Sequence, residues 1–289
     1  MLEGFERLSI ETTGATINVL RAGSGPPVLL LHGWPQTLTQ WHRVAPLLAE
    51  RFTVVVADLR GHGDSSKPAS GERHAAYAKR EHARDQVEVM AALGFDRFAL
   101  VGHDRGARVA HRMALDHADR VLRLVLLDVA PTLFVVESTS HASAWANYHW
   151  YFLTQPYDLP ERLIGADPDY YLRWTLRSWS GGDDSFLDEQ AVMEYARCFR
   201  DPATIHATCE DIRALVSVDL EHDRADRDSD RLVECPLLVV WGTRWRSADL
   251  LSPWRDYARN VRGRPIDCGH WLAEERPTEL TAELLGFLS

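Results

Sequence analysis

The stretch Gly102-His103-Asp104-Arg105-Gly106 constrains this chain more than any other. It follows an apolar run, residues 98–101, that reads as a buried strand, and it precedes residues 107–117, which read as a helix. A strand can pass into a helix through so short a turn only if small residues flank the central side chain. Here glycines stand at both flanks, and the central residue is pushed outward in a nucleophile-elbow layout. That residue is Asp104 rather than Ser or Cys. A serine there would acylate itself at a carbonyl. An aspartate attacks an sp3 carbon bearing a leaving group and becomes an ester, which water must then cleave.

The rest of the chain supplies a scaffold for such a turn. Residues 15–20 and 28–31 read as strands joined by a Gly/Pro turn at 22–27, followed by an amphipathic helix at 38–49 and a strand at 53–57. A loop at 58–70 leads to a helix at 77–93 that stops at Gly94, and a further strand lies at 122–127. Strands alternating with helices predict an α/β fold with a mostly parallel sheet flanked by helices. The alternation breaks at Pro131. Residues 132–231 are rich in Trp and Tyr and carry helical spacing without strand signals. Strand character returns at 236–241 and 264–268, and a helix spans 271–288. The division predicted is a core of residues 1–131 and 232–289 with an inserted helical cap, 132–231. The dense charge run at 219–231 reads as a solvated helix or linker returning to the core.

Bulk properties narrow the function classes. At 289 residues with 45% hydrophobic and 26% charged residues the chain can bury an ordinary core. A net charge of −10 argues against nucleic acid or an anionic membrane surface as partner, and means that an anionic substrate needs a local positive site. No apolar run approaches the ~18 residues of a membrane span, and no secretory signal is visible at the N-terminus. Cys198, Cys209, Cys235 and Cys268 lack paired spacing and read as reduced thiols of a cytoplasmic protein. No HExxH or Cys/His cluster appears, so no metal is expected.

Three groups stand at predicted strand ends: Asp104, Asp128 after 125–127, and His270 within Asp267-Cys268-Gly269-His270-Trp271. The carboxyl ends of parallel strands share one crevice, so nucleophile, acid and base can meet there. Asp249 is a second candidate acid. Asp128 is preferred because it directly ends an apolar strand. His32-Gly33-Trp34-Pro35 follows the strand 28–31, and its loop can present the Trp34 N–H beside that of Arg105 as an oxyanion hole for the ester hydrolysis. Arg105 and Arg108, at i and i+3 near a helix start, can face one side and hold a small carboxylate. Each feature alone has a bland explanation: an Asx turn, a structural histidine, a surface ion pair. Their order along the strand ends favours the functional one.

These segments resemble the α/β-hydrolase superfamily, and in detail its haloacetate (fluoroacetate) dehalogenase branch. The resemblance runs through residues 31–36, 41–46, 57–63, 102–108, 127–132, 148–150, 209–214 and 269–270. The 32–35 and elbow motifs are shared with epoxide hydrolases. Arg105 with Arg108, and His149-Trp150, are more specific, whereas haloalkane dehalogenases typically carry Trp after the nucleophile. The resemblance implies that His149 and Trp150 bind halide, that no cofactor is needed, and that the protein is a homodimer. It also exposes a departure. The fluoroacetate enzymes carry a Tyr donor between the Asp and Arg of the segment matching 209–214, where this chain has Ile212. Fluoride, the poorest leaving halide, should suffer most, with Tyr151 or Trp179 as candidate substitutes. The expected activity is hydrolysis of a small anionic 2-haloacid through an Asp104 ester. One alternative is an epoxide hydrolase using the same Asp104, Asp128 and His270 with Tyr148, Tyr151 or Tyr195 as acid. Another is a non-catalytic carboxylate-binding protein.

Overall fold

A computed structural model describes residues 1–245 and 249–289. Its centre is an eight-stranded sheet in the order β1-β2-β4-β3-β5-β6-β7-β8. The strands are β1 (Glu6–Glu11), β2 (Thr16–Ala22), β3 (Pro27–Leu31), β4 (Thr53–Ala57), β5 (Phe98–His103), β6 (Val121–Leu127), β7 (Leu237–Gly242) and β8 (Val261–Ile266). The pairs β1–β2 and β2–β4 are antiparallel, and all others are parallel. The central strands are short runs of Val, Leu and Ala. Both of their faces are apolar because helices cover both sides, the usual condition of parallel strands. One face packs with Val109, Ala110 and Met113, the other with Trp41, Leu48 and Leu284.

Between β6 and β7 the described residues contain helices and no named strand. The helices Tyr148–Leu153, Pro168–Trp179, Glu189–Phe199 and Pro202–Ala214 bury a cluster of their own, including Trp150, Leu176, Tyr195 and Ile212. Trp34 and Trp271 enter that cluster from the sheet side, so the helical insertion is seated over the carboxyl ends of the strands.

Several predicted elements shift. The antiparallel edge strand β1 was not anticipated. Its alternation of exposed and half-buried residues includes no fully buried position. The single helix expected at 38–49 is a 3-10 turn, Leu38–Trp41, and a short helix, Ala45–Ala49, with Pro46 in its first turn where the missing N–H is harmless. Likewise the terminal helix is two pieces, Leu272–Glu275 and Pro277–Leu288, divided at Pro277. The charge run is a helix, Leu220–Asp228, but it is not wholly solvated. Asp223 and Asp226 turn inward to the buried Arg112 of the core helix Arg105–Asp116.

Candidate active site

The turn after β5 is backbone under strain. Asp104 has φ +45° and ψ −110°, a conformation that costs a non-glycine residue about 1–3 kcal/mol. The neighbouring glycines make it attainable. A Cβ on Gly106 would lie 2.5 Å from the His32 carbonyl oxygen, and one on Gly102 would lie 2.5 Å from that of Gly106. The Gly106 N–H donates to His32 O at 3.0 Å, which ties the helix start to the loop after β3. From that loop the Trp34 N–H donates to Asp104 Oδ2 at 3.0 Å. Burial by itself would raise the Asp104 carboxyl. The facing His270, His103, Arg105 and Arg108 outweigh it and hold the group down at about 2. Asp104 is therefore an anion at any ordinary pH, as a carboxylate nucleophile must be.

His270 is oriented from several sides. Its Nδ1 and Asp128 Oδ2 are 2.5 Å apart, while Asp128 Oδ1 accepts the Gly242 N–H at 2.9 Å. Asp128 is itself at φ +55°, at the end of β6. The His270 carbonyl meets His103 Nε2 at 2.8 Å, and the His270 N–H donates to Trp179 O at 2.9 Å. Glu275 takes the N–H groups of Gly269 and Trp271, the residues on either side of His270. The rings of Trp179 and Trp245 meet the imidazole at centroid distances of 5.2 and 4.7 Å. With Nδ1 given to Asp128, the buried Nε2 has no hydrogen-bond partner among the described residues. Asp249, the other candidate acid, instead accepts the N–H groups of Leu251 and Ser252 and starts a short helix.

The two arginines part company. Arg108 donates to Thr132 Oγ1 at 2.7 Å, and its guanidinium lies 4.8 Å from the Trp150 ring centroid. It lines a cavity of about 520 Å3 together with Asp104, Asp128, His270, His149, Trp150, Trp179 and Trp245. Arg105 is not among the described residues that line that cavity. Its Nε and Nη2 are turned to Asp211 of the insertion, which leaves Nη1 buried without a hydrogen-bond partner among the described residues. The two arginines, expected to face one side, are thus held differently: a carboxylate within reach takes one fork of Arg105. Ile212 is buried in the apolar cluster with Trp150 but is not among the residues that line the cavity.

The tyrosines considered as acids lie elsewhere. Tyr195 donates to Glu274 Oε1 at 2.9 Å in a fully buried position, Tyr151 is half exposed beside a different cavity, and Tyr148 packs against His149 and Trp174. No tyrosine is among the described residues lining the cavity of Asp104. Trp179, the other suggested donor, does line it. Glu161, His206 and Glu210 form a group with metal-ligand spacing away from this cavity, but Arg213 Nη1 already sits 2.7 Å from a carboxylate oxygen of each glutamate.

Sequence reasoning did not find Glu275, Asp211, Trp245 or the His103 contact. Glu275 follows His270 closely in sequence, yet nothing about a Glu in a helical turn says that it caps the loop before it.

A strained carboxylate at a strand-to-helix turn, with a His–Asp pair across the strand ends of a mostly parallel sheet, defines a class. A family model described as alpha/beta hydrolase fold matches residues 26–277, and the chain belongs to that family. Within it, the chain is 47% identical to a fluoroacetate dehalogenase from Burkholderia sp, covering 100% of this chain and 95% of that one. It is 34% identical to a soluble epoxide hydrolase from Corynebacterium sp. (strain C12), covering 96% and 94%. Among solved structures, a putative alpha/beta hydrolase from Nostoc sp PCC 7120 superposes with a TM-score of 0.97 at 53% identity, covering 100% and 99%. A mutant of a putative epoxide hydrolase from Pseudomonas aeruginosa with bound MFA superposes with a TM-score of 0.94 at 49% identity, covering 100% and 97%.

Proposed function

We propose that this protein is a hydrolytic dehalogenase of small 2-haloacids, with residues 132–231 as a cap over residues 1–131 and 232–289. The observation that carries the reading is the company of Asp104. An anionic nucleophile shares its cavity with the Arg108 guanidinium, and the described lining offers no phenol. A carboxylate substrate needs a fixed cation, whereas an epoxide needs a proton donor for its oxygen. The similarity to a fluoroacetate dehalogenase supports the same reading, and the epoxide hydrolases among the relatives keep the rival in view.

In this mechanism Arg108 and the Nη1 of Arg105 hold the substrate carboxylate. An Asp104 oxygen attacks Cα, forming a C–O bond as the carbon–halogen bond breaks. The halide leaves toward N–H groups of His149 and Trp150, which stabilise its gathering charge. His270, oriented by Asp128, removes a proton from water as that water adds to the Asp104 ester carbonyl. The Trp34 and Arg105 N–H groups receive the negative charge that forms there. Collapse releases the hydroxy acid and restores Asp104, and the imidazolium returns its proton to solvent. No cofactor or metal takes part. Substrate and water are the partners, and nucleic acid has no place in the cycle. None of the described helices is long and apolar enough to cross a membrane. A cytoplasmic location and a homodimer belong to the same proposal.

The test is halide release from fluoroacetate, chloroacetate and bromoacetate, with styrene oxide hydrolysis in parallel, on the wild type and on Asp104→Ala. Halide release that vanishes in Asp104→Ala is expected. Diol formation without halide would transfer the assignment to epoxide hydrolysis, and binding of chloroacetate without turnover would favour the non-catalytic alternative.

A further inference from the structure

The helix Pro202–Ala214 delivers Asp211 against Arg105 beside the nucleophile turn. Arg105 Nε meets the Asp211 carboxylate at 2.5 Å, Nη2 pairs with the same carboxylate oxygen, and Nη2 also reaches the Asp211 carbonyl at 3.2 Å. Asp211 is held from its other side by an ion pair with Lys79 and by His82, whose Nε2 is 3.3 Å away. Lys79 is fixed in turn: its backbone N–H donates to Asp219 Oδ1 at 2.8 Å, and its Nζ lies 3.6 Å from Asp219. All of these side chains are buried, so Asp211 is not free to follow Arg105 if Arg105 moves. Two nitrogens of the guanidinium are used and the third, Nη1, is buried with no hydrogen-bond partner among the described residues. An unpartnered donor in a buried site is unfavourable until an acceptor arrives, and a planar fork held on one edge offers the acceptor a single direction.

We propose that Asp211 is a positioning residue: by fixing Nε and Nη2 of Arg105 it leaves Nη1 alone for the substrate carboxylate, and so sets the carbon bearing the halogen in line with Asp104. The proposal rests on the reading of Arg105 as a carboxylate-binding group. It assigns the insertion a part in the chemistry, since the residue that aims a core arginine stands on an inserted helix. It also separates aim from attraction. The Asp211 charge offsets that of Arg105, so the pull on the substrate falls mainly to Arg108.

The experiment compares steady-state chloride release from chloroacetate in the wild type, Asp211→Asn, Lys79→Met/Asp211→Asn and Arg105→Ala, with folding followed by circular dichroism. Misplacement by about 1 Å can remove up to about 100-fold in rate. Asp211→Asn is therefore expected to lower kcat by about tenfold or more while KM stays within about threefold, because the freed positive charge of Arg105 compensates in binding. The double variant restores charge balance in the buried group and should keep the kcat loss. Recovery of kcat in the double variant would show that Asp211 merely balances Lys79, and the proposal would fall. An unchanged kcat in Asp211→Asn, or a loss confined to KM, would overturn it equally. Arg105→Ala with unaltered kcat and KM would instead remove the reading of Arg105 on which the proposal rests.

Discussion

Asp104 and His270 divide the proposed cycle between them, and removing either has a separate signature. Of these two residues, alkylation needs only the Asp104 carboxylate, which the surrounding His and Arg residues keep ionised down to about pH 2. Hydrolysis needs His270, whose Nε2 has no other partner among the described residues. His270→Ala should therefore accumulate the ester, visible in an intact-mass spectrum after incubation with chloroacetate as protein heavier by the carboxymethyl group. A spectrum of unmodified protein alone would refute this order of steps. Ile212 has a separate place in the proposal. It cannot donate a hydrogen bond, and a missing donor in a dry site is worth roughly 1–3 kcal/mol, or about one to two decades in rate. Ile212→Tyr should raise kcat/KM for fluoroacetate more than for bromoacetate, and equal effects on both would count against a role in fluoride departure. Ile212 packs with Trp150 behind the described lining of the cavity. A gain in the variant would thus also show that a tyrosine extends past that layer. The places of Asp104 and Asp128 were legible in sequence because apolar runs lead up to them, and that of His270 because it follows the last strand signal; a strand end needs little tertiary context to recognise. The turn of Arg105 toward Asp211 was not, because the partners stand 106 positions apart.

At the scale of elements, the short helix Leu272–Glu275 does more than terminate the loop after β8. Its Glu275 pins the backbone around His270, while Glu274 accepts from Tyr195 of the inserted helix Glu189–Phe199 and from Gln36 of the loop after β3. Burial pushes the Glu274 carboxyl up to about 7, and those two donors only partly oppose it. The folded protein thus holds a proton that the unfolded chain, with an ordinary value of 4.5, releases earlier. Stability from this group is complete below about pH 4.5 and is lost as pH rises toward about 7, by at most about 3 kcal/mol. Glu274→Gln keeps a neutral side chain at every pH. The difference in Tm between wild type and variant should grow as pH rises across that window, and a constant difference would dismiss Glu274 as its source. The sequence suggested helix at 271–288, yet the break at Pro277 is what gives Glu274 and Glu275 their own short element. Proline marks a boundary locally. It does not say what the residues before it will cap.

Across the whole molecule, the insertion is joined to the core by buried charge as well as by apolar contact. Arg112 of the core helix pairs with Asp223 and Asp226 of the returning helix Leu220–Asp228 and with Asp116 of its own helix. These carboxylates are largely buried, so an apolar replacement of Arg112 leaves them uncompensated. Arg112→Met should destabilise the fold by about 3–5 kcal/mol in urea unfolding, the range for breaking one side of a buried ion pair. A loss under about 1 kcal/mol would show the cluster to be effectively solvated, as an exposed pair is. Periodicity and the bare order of residues determined the α/β class, the strand that leads to Asp104, the strand-free helical stretch between β6 and β7, and the places of Asp128 and His270 after two further strands. These are local properties: an apolar run, a glycine beside a turn, an aspartate where a strand stops. Only the tertiary structure decided which arginine is among the described residues lining the cavity, that Tyr148, Tyr151 and Tyr195 are not among them, and that the charge run near 219–231 turns carboxylates inward. Such facts depend on which charges meet in a buried place. A one-dimensional pattern cannot express this, because a buried charge takes whichever partner the packing brings within reach.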